Sequence, residues 1–169
     1  LILEAYRFDS KEMELIISKV NIHELVNNCF ENLKSLICEK NIQLINSVPQ
    51  NLPSINADIT SLKRVFINLI SNSIESIDFN GIIEVNAMLD KDHINIFVTD
   101  NGSGIASEDI NFLFERYYTG KSDERKLGSG LGLYVCKKLL EMHNGSISVE
   151  SEINCFTRFT IKLPLNFKE

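Results

Sequence analysis

Two long stretches of the chain carry apolar residues at intervals of three and four positions, which is the pattern of amphipathic helices. The first begins after Asn21, which is typical of a helix N-cap and has Glu24 three positions on, and it ends near Asn41. The second begins after Asp58 and continues to about Phe79. We therefore expect two helices that each bury one face against the rest of the domain.

Shorter stretches have the β-branched composition or the alternation of strands. The predicted strands cover residues 13–20, 42–48, 82–89, 93–100, 146–151 and 156–164. Asn80-Gly81 marks a turn before the third of them, and a further helix over 131–143 ends at Asn144-Gly145. Hairpins alternate with helices, so the sequence predicts an α/β fold of the α+β two-layer type, in which a mixed sheet of about five strands carries three main helices on one face.

The stretch from residue 101 to residue 130 breaks this regularity, because it contains five glycines and only a short helical pattern around 107–113. Irregular segments of that length are uncommon inside compact domains and usually serve a function. We therefore expect this segment to contribute to the functional site.

Composition narrows the class of protein only coarsely. The 169 residues carry a net charge of −6 and 44% of them are apolar, which suits one globular domain and gives no basis for binding nucleic acid. No apolar run approaches the roughly 18 residues of a membrane span. No C-x-x-C pair or histidine at metal-ligand spacing accompanies the cysteines, so we expect reduced cytosolic thiols at Cys29, Cys38, Cys136 and Cys155.

Asn68, Asn72 and Glu75 form a polar stripe on the second helix, because positions i, i+4 and i+7 share a helix face. A solvated surface is the simpler interpretation, but such faces are usually built from Lys, Glu and Arg rather than from paired Asn. Amide oxygens can instead coordinate a hard cation such as Mg²⁺, which keeps waters and shares phosphate oxygens. The stripe is therefore a candidate wall of a ligand cavity.

Two glycine motifs flank the irregular stretch. In DNGSGI, residues 100–105, a predicted strand delivers Asp100 to a turn that a ligand can approach, although Asp-Asn-Gly turns are common without one. Its carboxylate can accept a hydrogen bond from an exocyclic amine. In GSGLGL, residues 128–133, exposed N–H groups and the helix dipole favour an anion such as phosphate, and no G-K-[ST] follows as in a P-loop.

In their order and spacing, four motifs resemble those of the ATP-binding catalytic domain of sensor histidine kinases, in the superfamily that includes gyrase, chaperone and mismatch-repair ATPases (the Bergerat fold). NLISNSIES is similar to its N box, DNGSGI and GSGLGL to its two glycine boxes, and FLFERYYTGK to its F box. RFDSKEMEL is similar to the join with the family's dimerisation helices. The resemblance implies the end of those helices at residues 1–10, in a piece of a longer protein, and the catalytic domain at residues 11–169.

The resemblance also implies roles for individual residues. Asn72 matches the Mg²⁺ ligand, Asn68 matches a position near the phosphates, and both are assigned to catalysis. Asp100 matches the acceptor from the exocyclic amine of adenine. Beside the base, the resemblance implies a wall of Gly102, Gly104 and Ile105, with Thr157 near the adenine. The F box residues Phe114 and Arg116 would lie at the base of a mobile ATP lid that contains Lys121. The implied phosphate cradle consists of Gly128, Ser129, Gly130, Leu131, Gly132 and Leu133.

The implied reaction is that of a protein-histidine kinase. Such a kinase binds ATP with Mg²⁺ and transfers the γ-phosphoryl group to a histidine on a dimerisation helix, from which an Asp of a response-regulator receiver domain takes it. His23, His93 and His143 stand in surface or cap contexts, so we expect the acceptor histidine outside this sequence and no autophosphorylation by the chain alone. A cytoplasmic domain is implied, in a full-length homodimer joined through the missing helices; sensors of this family are often membrane-anchored.

Two residues depart from the family pattern, and three rival functions stay open. Glu75 stands where many relatives carry a Lys that contacts phosphate, and Phe156 stands where the family has Gly before Thr157. The first rival, a hydrolase of the superfamily, would need a general-base Glu at position 68, which is Asn. The second is a serine kinase of the anti-sigma-factor type, and the third is a degenerate domain that binds partners without nucleotide.

Overall fold

The computed structural model describes residues 14–119 and 130–166. Its strands are β1 (Ile17–Val20), β2 (Gln43–Ser47), β3 (Ile55–Asp58), β4 (Ile82–Asp90), β5 (His93–Asp100), β6 (Ser146–Glu152) and β7 (Phe156–Pro164). Its helices are α1 (Ile22–Lys40), α2 (Ile59–Ser76), the short α3 (Ser107–Ile110) and α4 (Gly132–Met142). The predicted helix end at residues 1–10 lies outside the described residues.

Five strands form one sheet in the order β2-β4-β5-β7-β6. β2 pairs with β4 in parallel, whereas the other neighbours are antiparallel. The difference follows from the connections, because tight turns join β4 to β5 and β6 to β7, while the path from β2 to β4 passes through α2. The predicted mixed sheet is confirmed.

β1 and β3 form a separate antiparallel pair, with Ile17 opposite Asp58 and Val20 opposite Ile55. The sequence pattern predicts no strand at residues 55–58, and there the prediction is wrong. Four residues are too few to display alternation, and this strand depends on pairing with a segment far earlier in the chain.

Both long helices begin as their capping residues predict. Asn21 Oδ1 accepts the N–H of Glu24 at 3.1 Å, and Asp58 Oδ1 accepts the N–H of Ser61 at 2.7 Å. Asn41 ends α1 in the left-handed conformation, with φ of 52°. These ends could be predicted because a cap is a local feature of the chain.

α2 ends at Ser76, earlier than the predicted end near Phe79. Lys40, the last residue of α1, extends its Nζ to the carbonyl oxygens of Ile74 and Ile77, at 2.7 Å each. A cation that donates to the last carbonyls of a helix stabilises its end. The boundary therefore depends on a contact from another helix, which the local pattern does not reveal.

The hydrophobic core lies between one face of the sheet and the three main helices, as predicted. Alternate residues of β5 are buried while their neighbours stay partly exposed, so only one face of the sheet is covered. In the described ranges, no helix is long and apolar enough to cross a bilayer. The largest fully buried side chains include Phe66 and Leu69 of α2, Ile83 of β4, Ile96 of β5 and Leu139 of α4.

His143 is buried at the end of α4, with 1% of its area exposed. Its Nε2 accepts the N–H of Asp58 at 3.0 Å, so the ring proton lies on Nδ1, which donates to the carbonyl oxygen of Leu139 at 2.7 Å. The surface interpretation of His143 is wrong, because this end of α4 packs on the β3–α2 junction, but its position as a helix cap is confirmed. His23 lies in the first turn of α1 and His93 begins β5, as predicted.

Asp58 also links α2 to the segment before β1, because its Oδ2 accepts the N–H of Ile16 at 2.8 Å. Burial alone would raise the pKa of Asp58, but hydrogen bonds from the Ser61 and Ile16 N–H groups outweigh it, so the pKa lies below its ordinary value of 3.8. The charged carboxylate therefore stabilises the fold above pH 3.8, and this contribution is lost as the pH falls through the folded-state pKa.

Asp58→Ala is expected to lower the free energy of unfolding by about 2 kcal/mol near neutral pH, since it removes a helix cap and an acceptor for the Ile16 N–H. Urea unfolding at about pH 7 and about pH 3 measures the loss, which should shrink at the lower pH. Asp58→Asn is the matched control, because Asn also caps helices but does not titrate. A loss for Asp58→Ala that is equal at both pH values would show that the charge contributes nothing.

Candidate functional site

Asp100 lies at the end of β5 with 3% of its area exposed, and three donors hold its carboxylate. Ser73 of α2 donates its hydroxyl to Oδ2 at 2.7 Å, and the Ser76 hydroxyl reaches Oδ1 at 3.2 Å. The backbone N–H of Gly102 donates to Oδ1 at 3.0 Å. Hydrogen bonds to both oxygens fix the plane of the carboxylate, so its acceptor directions are defined before a ligand arrives.

Thr157 stands opposite Asp100 in the pairing of β5 with β7 and is equally buried, with 3% of its area exposed. Its hydroxyl lies 3.1 Å from Ser151 Oγ, which donates to the carbonyl oxygen of Phe156 at 2.7 Å. Because Ser151 has a single proton, the Thr157 hydroxyl donates to it. Ser151 also accepts the N–H of Ile105 at 2.8 Å, so three predicted site residues meet at this end of the sheet.

Sequence reasoning missed Ser73, Ser76 and Ser151, which hold the predicted residues in place. Ser73 and Ser76 lie three positions apart and reach the same carboxylate. A small hydroxyl on the buried side of a helix is a sequence signal for a buried acceptor opposite it. The role of Ser151 has no local signal, because it exists only once β6 and β7 pair and residue 105 packs on them.

Gly104 makes room for the protein's own backbone. It has φ of 69°, and a Cβ at this position would lie 2.2 Å from the carbonyl oxygen of Glu152 and 2.8 Å from Ile153 Cα. The close approach at this glycine is therefore to the turn between β6 and β7. Contact of Gly102 and Gly104 with a nucleotide stays a prediction.

Gly104→Ala is expected to destabilise the fold by about 2 kcal/mol, because a left-handed conformation and a backbone neighbour both oppose a side chain there. Gly81→Ala is the matched control, since the three atoms nearest to its Cβ would be side-chain atoms of Ile77 rather than backbone, and its φ lies outside the left-handed region. Chemical denaturation should show the larger loss for Gly104→Ala. Equal losses would mean that the turn adjusts without strain.

Asn68 ties α2 to α4. Its Nδ2 donates to Cys136 Sγ at 3.2 Å, and burial raises the pKa of that thiol to about 12, so the sulfur is a neutral acceptor. Gly132 allows the helices to approach, since a Cβ there would lie 2.5 Å from Asn68 Oδ1. A groove of about 220 Å³ beside them is lined by Arg64, Ile67, Asn68, Ser71, Gly132, Val135 and Cys136.

Asn72, one turn further along α2, is half-buried. Across residues 14–119 and 130–166, nothing forms a hydrogen bond or ion pair with its side chain, so its amide oxygen is open to a ligand. Glu75, the third member of the stripe, is exposed. The three polar residues that the helical period groups on one face therefore have three different environments.

A metal at Asn72 would need ligands from outside the protein. Within the described part of the chain, no three His, Cys, Asp or Glu side chains cluster in a way that could hold a metal ion. Mg²⁺ commonly binds through one or two protein oxygens together with waters and substrate phosphates. The open amide of Asn72 fits that mode of binding, so Mg²⁺ at Asn72 stays a prediction that the structure permits.

The F box is anchored to the sheet and to α4. Phe114 packs edge-on against Phe159, with ring centroids 6.4 Å apart. The guanidinium of Arg116 lies 5.1 Å from the ring centroid of Tyr117 and 6.0 Å from that of Tyr134 on α4. Arg116, which the resemblance assigns to the nucleotide-binding set, therefore lies over two aromatic rings.

The second glycine box closes onto the F box at Gly130, whose carbonyl oxygen accepts the N–H of Tyr117 at 2.9 Å. Leu131 is buried, and Leu133 packs partly buried against the core, so these two residues anchor the start of α4. Lys121 of the predicted mobile lid, and Gly128 and Ser129 of the predicted phosphate cradle, lie outside the described residues.

Known proteins resemble this chain in sequence. Residues 57–166 match the family described as histidine kinase-, DNA gyrase B-, and HSP90-like ATPase. The chain is 34% identical to the sensor histidine kinase ZraS of Escherichia coli (strain K12) over 156 residues, which are 92% of the chain and 33% of ZraS. The chain thus spans about a third of the length of this relative.

Solved structures resemble the chain over nearly all of its length. The catalytic domain of histidine kinase ThkA superposes with a TM-score of 0.78 at 27% identity, covering 91% of this chain and 97% of that one. ThkA in complex with the response regulator TrrA gives 0.74 at 25% identity, over 88% of this chain and 42% of that one. Full-length ShkA in complex with AMPPNP shares the fold, with a TM-score of 0.88 at 24% identity, over 99% of this chain and 35% of that one.

These likenesses confirm the expected fold and family. The matched region contains α2, the end of β5, α4 and β7, which are the elements that hold the site. The chain therefore belongs to the histidine kinase-, DNA gyrase B-, and HSP90-like ATPase family, and it corresponds to the catalytic domain of a sensor histidine kinase.

Proposed function

We propose that the chain binds ATP with Mg²⁺ and transfers the γ-phosphoryl group to a histidine on the dimerisation helices of its own full-length protein. One observation carries this proposal: α2 supplies both Ser73, which donates to the fixed Asp100 carboxylate, and the preceding residue Asn72, whose amide is open to a ligand. A nucleotide needs an acceptor for the amine of its base and an oxygen ligand for the metal on its phosphates, and these two groups can provide them.

Asp100 would bind the base and determine which base the site prefers. An exocyclic amine donates to a carboxylate, so the site favours adenine, which carries an amine at purine position 6, over purines with a carbonyl there. Thr157, opposite Asp100, would lie near the same base. The adenine nucleotide analogue bound in ShkA supports this choice of ligand class.

The phosphates would lie toward the start of α4, where N–H groups and the helix dipole favour anions. Gly130, Gly132 and Asn68 are the proposed polar contacts, and Arg116 and Lys121 are the proposed cationic contacts. Asn72 would hold Mg²⁺, which when bound neutralises phosphate charge. Positioning and charge neutralisation are the main demands of phosphoryl transfer.

The proposed transfer is an in-line displacement. The unprotonated imidazole nitrogen of the acceptor histidine forms a bond to the γ-phosphorus as the bond from phosphorus to the bridging β,γ-oxygen breaks, and ADP leaves with that electron pair. The other ring nitrogen then releases its proton to solvent. Asn68, an amide without basicity near neutral pH, is no general base for water, which favours transfer over hydrolysis.

The proposed partners follow from the same chemistry. The phosphohistidine would pass its phosphoryl group to an Asp of a response-regulator receiver domain, and ThkA is known in complex with a protein of that class. The full-length protein would pair through its dimerisation helices. The domain would face the cytoplasm, where ATP is available, in a protein that is soluble or membrane-anchored.

Titration calorimetry with the ATP analogue AMPPNP, with and without Mg²⁺, tests the binding half of the proposal. We expect saturable binding that strengthens when Mg²⁺ is present. Absence of heat at millimolar analogue would contradict the proposal and support the nucleotide-free interaction domain.

Incubation of the full-length protein with γ-labelled ATP tests the transfer half. We expect a protein label that survives alkali and is lost in acid, as a phosphoramidate bond behaves. An acid-stable label would indicate a serine kinase instead, and release of free phosphate without protein label would indicate a hydrolase.

A further inference from the structure

We propose that Ser73 is a positioning residue, which orients the Asp100 carboxylate and thereby sets how strongly the site prefers a purine with an exocyclic amine. This inference rests on the proposed function and deepens it, because it assigns base selectivity to a residue outside the predicted site. The carrying observation is a short hydrogen bond from a fully buried hydroxyl to the acceptor itself.

Ser73 makes the shorter of the two serine contacts. Its Oγ lies 2.7 Å from Asp100 Oδ2, with 1% of the residue exposed. Ser76 Oγ lies 3.2 Å from Oδ1 and 2.9 Å from the carbonyl oxygen of Ser73, so its single proton is shared between two acceptors. Ser73 is therefore the stronger hydroxyl donor to the carboxylate.

Ser73 also donates to a different oxygen from the one that Ser76 and the Gly102 N–H contact. Ser76 and the Gly102 N–H both reach Oδ1, whereas Ser73 reaches Oδ2. The terminal torsion of an aspartate is intrinsically broad, so a carboxylate held at one oxygen can still turn about that contact. The Ser73 hydrogen bond opposes this rotation and contributes to the direction in which the carboxylate meets an amine.

The orientation of the Asp100 carboxylate affects the binding of adenine and hypoxanthine nucleotides differently. An amine at purine position 6 donates to the oriented carboxylate, whereas the carbonyl of hypoxanthine presents another acceptor to it. Loss of orientation therefore weakens binding of the adenine nucleotide and leaves the inosine nucleotide nearly unaffected. A purely structural contribution of Ser73 would lower the affinity for both nucleotides alike.

The test compares AMPPNP with its inosine counterpart by titration calorimetry in the parent chain and in Ser73→Ala. We expect Ser73→Ala to reduce the preference for the adenine nucleotide about tenfold, as expected for one lost hydrogen bond. Ser76→Ala should reduce it less, because its contact is longer and shared. Thr60→Val, an exposed hydroxyl removed from the same helix, is the control and should keep the parental preference.

Melting by circular dichroism accompanies each titration. Ser73→Cys keeps the size of the side chain and a weak donor, and it provides the measurement if the alanine variant does not fold; its preference should fall below that of the parent. An unchanged preference in the folded Ser73 variant would overturn the inference, as would an equal loss for both nucleotides. Failure of the parent chain to bind AMPPNP would instead overturn the proposed function itself.

Discussion

Asp100→Asn is expected to weaken binding of adenine nucleotide about 100-fold while the domain stays folded. A carboxylate accepts on both oxygens, whereas an amide offers one acceptor and one NH₂ donor. That NH₂ group would replace either Oδ2, which accepts from the Ser73 hydroxyl, or Oδ1, which accepts from the Ser76 hydroxyl and the Gly102 N–H. Wherever it faced the exocyclic amine, two donors would oppose each other. Loss of a charge-assisted hydrogen bond of about 1.5–3 kcal/mol accounts for an effect of this size.

Titration calorimetry with AMPPNP measures the effect, and urea unfolding measures the accompanying loss of stability. We expect that loss to stay near 1–2 kcal/mol, because at least one donor among Ser73, Ser76 and the Gly102 N–H would lose its acceptor at residue 100. Asp92→Asn makes the same chemical change at an exposed position between β4 and β5 and should bind like the parent. An Asp100→Asn variant with affinity within about threefold of the parent would refute the assignment of the base site.

Asn72→Ala is expected to remove most of the gain in nucleotide affinity that Mg²⁺ provides, a loss on the order of 100-fold. No described residue bonds to the Asn72 side chain, so its removal breaks no contact within residues 14–119 and 130–166. Alanine is also the better helix former by up to about 0.7 kcal/mol. The variant should therefore be as stable as the parent or slightly more stable, which separates loss of function from loss of fold.

Titration with AMPPNP in Mg²⁺ and in EDTA isolates the metal-dependent part of the affinity. Asn28→Ala, an exposed substitution in α1, is the matched control, since it makes the same change in helix propensity away from the site. A parental gain from Mg²⁺ in Asn72→Ala would place the metal elsewhere. A large loss of stability would show instead that Asn72 is a structural residue.

Much of the fold could be predicted because its signals are local. The caps at Asn21 and Asp58 form within one helical turn, so the residues that make them are close in sequence. β3 and the end of α2 could not be predicted in the same way. β3 exists through pairing with β1, and α2 ends where Lys40 from another helix reaches its carbonyls.

The candidate site likewise contains residues that the sequence predicted and residues that it did not. The family resemblance predicts Asp100, Thr157 and Asn72 as site residues, and the structure brings Asp100 and Thr157 into register at one end of the sheet. Ser73 and Ser151 remained hidden, because each acts on a residue that is distant in sequence or becomes a neighbour only when strands pair. A motif marks the residues that carry chemistry more readily than those that hold them in place.

The sequence by itself determined the helices and hairpins, the family, and the chemical groups available to a ligand. Its helical period placed Asn68, Asn72 and Glu75 on one stripe but did not indicate how deeply each side chain is buried. Only the tertiary structure decided that Asn68 bonds to Cys136 of α4, that Asn72 stays open and that Glu75 is exposed. The reason is physical: periodicity assigns a residue to a face, whereas its partners and its burial depend on which other elements pack against that face.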